Sequence, residues 1–166
     1  KIMADSIGFE VKMKQNYEDA VELVTDALKS EGFGVLTEID VKATLKKKLD
    51  TDFRPYVILG ACNPPLAYQA LSGQPEVGMM LPCNVTVEAS EDGGSIVRIL
   101  DPKLMMSVGA FAENAILIDV ATKAHEKLAR KMNNKGISVY CNVPLLGGVN
   151  DSDRAIHEFA YATRDI

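Results

Sequence analysis

The sequence predicts an α+β fold, a two-layer sandwich in which one mainly antiparallel sheet packs against two long helices, followed by a C-terminal β-α appendage. Short segments with the period of a strand recur along the chain, and turn signals separate them. Two long amphipathic segments, near residues 17–31 and 112–132, lie among these strands. Because each amphipathic helix must bury its apolar face, the helices are expected to cover one face of the sheet.

The first two strands each lead into a helix with a recognisable start. Residues 7–14 alternate apolar and polar side chains, which is the period of a half-buried strand. Asn16 can cap the long helix that follows. Residues 33–39 are predicted as the second strand, and Asp40 is the predicted cap of a short helix over 41–49.

Proline and glycine mark the elements in the middle of the chain. The apolar run 55–61 is typical of a buried strand. The Pro-Pro step at 64–65 favours a helix start, since proline in the first turn loses no needed N–H, and that helix should end at Gly73. Residues 79–89 resemble a strand in which Pro82 would require an edge position or a bulge.

A hairpin and a long helix complete the main domain. The turn residues 91–94 connect to a strand over 95–100, which Asp101-Pro102 ends. The long helix has His125 outside its apolar stripe, so we expect this side chain to face solvent. The stripe consists of Ile116, Leu117, Val120, Ala124 and Leu128.

A second, smaller unit is expected after the turn signal that begins at residue 133. It comprises a strand over 137–143 and a helix over 151–164, so the domains are predicted as 1–132 and 133–166. The apolar side chains of this unit are too many to remain in water, and we expect it to dock on the main domain or on a partner subunit.

Composition excludes several classes of function. A formal net charge of −5 argues against a nucleic-acid surface, which needs a basic face. No apolar run approaches the roughly 18 residues of a membrane span. Three cysteines, an odd number without close pairing, suit the reducing cytoplasm better than a disulfide framework. We therefore expect a cytoplasmic protein with neither nucleic-acid nor membrane partners.

Two cysteine-containing strings carry a resemblance to a known family. Residues 59–67 read LGACNPPLA and residues 81–85 read LPCNV. With GFGVLTEID at 32–40 and FRPY at 53–56, the chain resembles the domain of unknown function 302 family over about residues 7–130. The resemblance implies a compact α+β domain, a homodimer and a prokaryotic source. It implies no established reaction and no known cofactor.

The tail resembles a different family. The string GISVYCNVPLLGGVND at 136–151 is similar to a late barrel segment of radical-SAM lysine and glutamate 2,3-aminomutases. In that family the acidic residue of the Gly-Val-Asn-Asp string lies near the substrate, which implies this role for Asp151. The required Cys-x3-Cys-x2-Cys cluster motif is missing, since the cysteines stand at 62, 83 and 141. The segment would thus be a fragment or a fusion without catalysis of its own.

The leading candidate for a ligand site is the pair of Cys-Asn steps in the first family's strings. Cys62, Asn63, Pro64, Cys83 and Asn84 could wall a pocket between two neighbouring strand ends. The two thiols could bind a soft metal or form a redox pair. Alternatively, buried cysteine behaves as a small apolar residue, while asparagine hydrogen-bonds a turn.

We expect no metal at these cysteines. Zinc needs three or four ligands, and neither His125 nor His157 stands at a ligand spacing from a cysteine. The methionine pairs at 79–80 and 105–106 are interpreted as core or interface filler.

A second candidate constellation comprises Glu38, Asp40 and Arg54. Two carboxylates at i and i+2 face the same side of a strand, and Arg54 could pair with one of them or hold an anionic ligand. The alternative is a surface salt bridge together with the helix cap assigned to Asp40.

Three hypotheses for function remain open, and no catalytic residue can be named. The first is a small-ligand or redox-linked binding module, which would be homodimeric. The second is a fragment or fusion of a 2,3-aminomutase. The third is a structural dimerisation module that uses the sheet edge or the long helix.

Overall fold

The computed structural model describes residues 7–133 and 139–140, and every strand in this part of the chain belongs to one antiparallel sheet. The spatial order of the strands is β2-β3-β4-β5-β1-β6. Their bounds are β1 Gly8–Met13, β2 Gly34–Asp40, β3 Tyr56–Cys62, β4 Cys83–Ala89, β5 Ser95–Leu100 and β6 Val139–Tyr140.

Helices occupy most of the connections between these strands. They are α1 Tyr17–Ser30, α2 Val41–Leu49, α3 Pro64–Gly73, α4 Pro102–Met105 and α5 Ala115–Asn133, with 3-10 helices at Pro75–Met80 and Gly109–Glu113. The two longest are α1 and α5, as the amphipathic patterns predict. The predicted α+β sandwich of one sheet and two long helices is confirmed.

The main core lies between one face of the sheet and helices α1 and α5. Alternate residues of β3, such as Val57 and Leu59, point to this face because successive strand side chains point in opposite directions. They pack with Val24 and Leu28 of α1 and with Leu128 of α5. We call this side of the sheet the helix face and the opposite side the second face.

A smaller core extends the helix face beyond the N-terminal end of β4. Leu117 is fully buried at its centre, and Cys83 packs into the same cluster. The other members come from α3, α4, α5 and the first 3-10 helix, and they are Ala70, Val77, Met105, Met106, Val120 and Ala121.

The predicted helix caps form as the side-chain chemistry requires. Asn16 accepts a hydrogen bond from the N–H of Asp19, and Asp40 accepts one from that of Ala43. The sequence patterns did not predict the cap of α5. There Asn114 accepts hydrogen bonds from the N–H groups of Ile116 and Leu117, so α5 begins at Ala115 and not at 112.

Two expectations about these elements are wrong. The strand predicted over 79–89 begins only at Cys83, because Pro75–Met80 forms a 3-10 helix. Pro82 therefore precedes a central strand and removes no ladder hydrogen bond from it. Ile116, predicted in the buried stripe of α5, is 43% exposed because it lies on the side of the helix turned away from the sheet.

The described part of the predicted tail strand extends the sheet. Val139 stands opposite Val11 and Tyr140 opposite Glu10, so β6 pairs with β1 at the sheet edge. The remainder of the predicted tail unit, including the helix predicted over 151–164, lies outside the described residues.

Candidate functional site

The sheet register brings the two family cysteines to one place. Cys83 opens β4 directly opposite Ala61, and Cys62 follows Ala61 as the last residue of β3. Antiparallel pairing makes the C-terminal end of one strand the neighbour of the N-terminal start of the next. Thus two residues that stand 21 positions apart in the sequence lie at the same end of the sheet.

Both cysteines line one cavity of about 30 Å³ on the helix face. A single water needs roughly 10–15 Å³, so this space holds one or two atoms of that size. Organic ligands occupy pockets of roughly 300 Å³ or more. Strand, loop and helix residues contribute to its wall, among them Phe33, Asn63, Leu66, Leu81, Met105 and Met106.

Asn63 is the main polar residue of this wall, and its amide is already engaged. The side-chain oxygen accepts a hydrogen bond of 3.3 Å from the N–H of Leu66, which caps α3. The amide nitrogen donates to the carbonyl of Glu31 over 3.4 Å. Asn63 therefore ties the start of α3 to the end of α1 and fixes the loop that carries it beside Cys62.

The other two residues of the predicted pocket lie elsewhere. Pro64 is exposed as the first residue of α3, where it starts the helix as predicted. Asn84 is exposed opposite Gly60, on the second face of the sheet. The structure thus groups Cys62, Asn63 and Cys83 around the cavity, whereas Pro64 and Asn84 do not line it.

Burial keeps both thiols protonated at neutral pH. It raises the pKa of Cys62, which is partly exposed. Burial, with a smaller contribution from Cys62, raises the pKa of Cys83 to about 11. Since the thiolate is the nucleophile in thiol chemistry, neither cysteine has the environment of an activated catalytic residue.

The second predicted constellation is not assembled as the sequence suggested. Arg54 pairs with Glu88 of β4, which the sequence analysis overlooked, and not with Glu38 or Asp40. Asp40 caps α2, and Glu38 is exposed on β2. None of these residues lines the cysteine cavity.

Glu88 is the centre of an ion-pair network on the second face of the sheet. Its side chain is only 5% exposed, and it accepts hydrogen bonds of 2.5 Å from Arg54 and from Arg98. Arg98 also donates to Glu10 over 2.8 Å. The guanidinium of Arg54 lies 4.7 Å from the centre of the Phe53 ring. Two carboxylates and two guanidiniums thus neutralise one another.

The electrostatics of Glu88 follow from this arrangement. Burial alone would raise the pKa of the carboxyl group. The hydrogen bonds and charges of Arg98 and Arg54 outweigh burial, and they hold the pKa of Glu88 below its ordinary value. The hairpin turn at 91–94 contained the signal for this network, because it places Glu88 and Arg98 on the same face of adjacent strands.

His125 does not face solvent as predicted. Its side chain is 25% exposed, and Nδ1 lies 2.9 Å from a carboxylate oxygen of Asp101. The imidazole also contacts the ring of Phe9, with 5.2 Å between centroids. The contact with Asp101 ties α5 to the end of β5. His157, Cys141 and the substrate-like residue Asp151 lie outside the described residues.

The described residues, 7–133 and 139–140, contain no group of three or more His, Cys, Asp or Glu side chains able to hold a metal ion. They also contain no helix whose length and apolar character would let it cross a membrane.

The chain is similar to known proteins both in sequence and in fold. Residues 9–135 match the family model described as "Domain of unknown function DUF302". The fold is similar to a crystal structure described as an uncharacterized conserved protein DUF302 from Bacillus stearothermophilus, with 28% sequence identity and a TM-score of 0.68. That match covers 78% of this chain and 98% of the other. No curated protein matches the chain. The aminomutase-like tail lies almost wholly beyond the matched residues and stays a prediction.

Proposed function

This chain belongs to the DUF302 family, and from that premise we propose that it is a small-ligand-binding module whose site is the cavity at the end of β3 and β4. One observation carries the proposal: Cys62 and Cys83, which come from two separate strings, line the same cavity. Asn63 supports it, because its two hydrogen bonds hold the wall of the cavity in place. We assign the domain to the reducing cytoplasm, where both thiols stay free.

The cavity limits what the ligand can be. A space of about 30 Å³ suits an ion or a molecule of very few heavy atoms, and it is too small for an organic cofactor. A redox-linked role is less well supported, since disulfide chemistry needs a thiolate and burial raises the pKa of both cysteines. We therefore favour reversible binding over thiol oxidation.

Access to the cavity can be tested with a small thiol reagent, methyl methanethiolsulfonate, at pH 8.5. A thiolate attacks its sulfur, forms a methyl disulfide and releases methanesulfinate. In a Cys141→Ser background, we expect mass spectrometry of the folded protein to find Cys62 labelled first and Cys83 more slowly, because Cys83 is 8% exposed.

Two Ala→Leu variants distinguish access of the reagent through the cavity from general exposure of the protein surface. Ala67 lines the cavity and is partly exposed on α3, so Ala67→Leu should slow labelling of both cysteines several-fold. Ala27→Leu, on the partly exposed side of α1, should leave the rates unchanged. Labelling of both thiols only in denaturant would refute an accessible ligand site.

A second candidate function, homodimerisation, is favoured by an exposed apolar surface on α3 and α5. Tyr68 is 77% exposed and Met79 is 79% exposed. Leu71, 41% exposed, lies near Gly78, and Ile116, 43% exposed, lies near Gly73. We call these exposed side chains the α3–α5 surface. Aromatic residues and methionine are enriched at protein interfaces, and a two-fold dimer would cover this surface with a second copy.

Light scattering tests the dimer. At micromolar concentration we expect twice the mass of one chain, and Tyr68→Glu combined with Met79→Glu should halve it, because like charges would be buried without partners. Leu36→Lys is the matched control, since Leu36 is 65% exposed on the edge strand β2. A monomeric parent protein would exclude the dimer, and dissociation by Leu36→Lys instead would move the interface to the sheet edge.

A further inference from the structure

We propose that the cavity binds a soft monovalent metal ion, Cu⁺, through the sulfur-bearing residues in its wall. This inference rests on the proposed function and names its ligand. Four sulfur-bearing residues surround the same small space: Cys62 and Cys83 from the strands, and Met105 and Met106 from α4 and the residue after it. The sequence predicts these methionines as core or interface filler, and Met105 stands 22 positions after Cys83.

The chemistry of the wall selects the metal. Thiolate and thioether sulfur prefer Cu⁺, whereas carboxylate, carbonyl and water suit Mg²⁺, Ca²⁺ and Mn²⁺. Apart from Asn63, the wall is apolar, and Asn63 already uses its amide for hydrogen bonds. A hard cation would therefore lose its hydration shell without finding oxygen ligands. Zinc sites are built from cysteine, histidine and carboxylate, and methionine is not among their usual ligands.

Size and burial point in the same direction. The cavity has room for one or two water-sized atoms, which matches a single ion in contact with its ligands. Met105 is 3% exposed and Met106 5% exposed, so the ion would be sheltered from water and from oxidation. Cys62 is the more exposed of the two cysteines.

Charge balance favours a monovalent ion over a divalent one. When Cu⁺ binds, one S–H bond breaks, one Cu–S bond forms and the proton passes to solvent, while copper remains in the +1 state. One thiolate with Cu⁺ is neutral, and thioethers add no charge. A neutral complex avoids the large cost of burying net charge in an apolar wall.

The experiment is an anaerobic titration of the full chain with Cu⁺, in a Cys141→Ser background, in competition with the chromogenic chelator bathocuproine disulfonate. We expect one Cu⁺ per chain. The double variant Cys62→Ser/Cys83→Ser should weaken binding by roughly 100-fold or more, because it removes the thiolate ligand whichever cysteine supplies it. X-ray absorption at the copper edge should find sulfur as the only near neighbour.

Matched methionine variants test the thioethers without disturbing the core. Met106→Leu conserves volume and should weaken Cu⁺ binding by roughly 10-fold. Met80→Leu is the control, since Met80 packs against the same small core but does not line the cavity. Circular dichroism checks that each variant is folded. If both methionine variants bind Cu⁺ with the same affinity as the parent, Met106 is not a ligand of the ion.

Three outcomes would overturn the inference, and they separate it from the proposed function. If the protein fails to compete with the chelator for Cu⁺ while methyl methanethiolsulfonate labels the cysteines of the cavity, the proposal of Cu⁺ as the ligand fails and the ligand site stands. If neither reagent reaches the cysteines of the folded protein, both proposals fail. Binding that survives the loss of both Cys62 and Cys83 would show that Cu⁺ is held at another place on the chain.

Discussion

The double variant Arg54→Met/Arg98→Met is expected to lower the free energy of unfolding at pH 7 by about 3 kcal/mol. It leaves the Glu88 carboxylate, which is 5% exposed, without either of its positive partners. The carboxylate can then lose its unpaired buried charge only by taking up a proton. Holding a carboxyl group protonated at pH 7, when its ordinary pKa is 4.5, costs about 3 kcal/mol. Urea unfolding monitored by circular dichroism measures the loss.

Glu88→Met is the control, and it should lower the free energy of unfolding by less than the double variant does. It removes the buried charge of this network, while Arg54 and Arg98 are 52% and 42% exposed and can turn to water. Replacement of a buried ion pair by apolar side chains is often close to neutral. If Glu88→Met is the more damaging change, the carboxylate contributes through hydrogen bonds and not through the burial of its charge.

The pH dependence of unfolding gives this prediction a second readout. In the parent protein the folded-state pKa of Glu88 lies below its ordinary value of 4.5. Its contribution to stability is therefore present above that pH, and it is lost as the pH falls through the lower folded-state pKa. In the double variant burial raises the folded-state pKa, so the deficit relative to the parent should shrink as the pH falls from 7 towards 4.5.

Leu59→Ala is the second change with a large expected effect, a loss of about 3 kcal/mol in the free energy of unfolding. Leu59 is 1% exposed in the centre of β3, where helices α1 and α5 cover the sheet. Truncation removes apolar contacts and leaves a cavity that the neighbouring strands cannot close. Chemical denaturation at constant pH measures this loss.

The matched control is Leu36→Ala. Leu36 is also a strand leucine, but it is 65% exposed on β2, so its truncation should change stability by no more than about 0.5 kcal/mol. Similar losses for the two variants would mean that Leu36 is covered in solution. This result would identify the β2 edge as an interface, and the light-scattering experiment would then detect it.

Local sequence signals predicted most of the fold. The helix over 41–49 and the strand over 95–100 have the bounds that caps and turn residues indicated. Asn16 and Asp40 each accept a hydrogen bond from the backbone N–H three residues later, so a short stretch of sequence contains the whole interaction. Errors occurred where distant packing decided the outcome, as for the 3-10 helix at Pro75–Met80, whose Val77 is buried in the small core.

The candidate site was predicted only in part. The strings around residues 62 and 83 contain the two cysteines that the structure places at one end of the sheet. Pro64 and Asn84 were included because they are sequence neighbours, although adjacent residues of a strand or loop point in different directions. Met105 and Met106 were not included, because only the packing of α4 on α5 brings them to the cavity.

By itself, the sequence determined the α+β class, the order of the main strands and long helices, and the caps of α1 and α2, because these depend on periodicity and on contacts between near neighbours. Only the tertiary structure decided that Glu88 lies buried between Arg54 and Arg98, and that two methionines share a small cavity with two cysteines. Arg54 and the two methionines are far from their partners in the chain, so burial and charge balance select these arrangements.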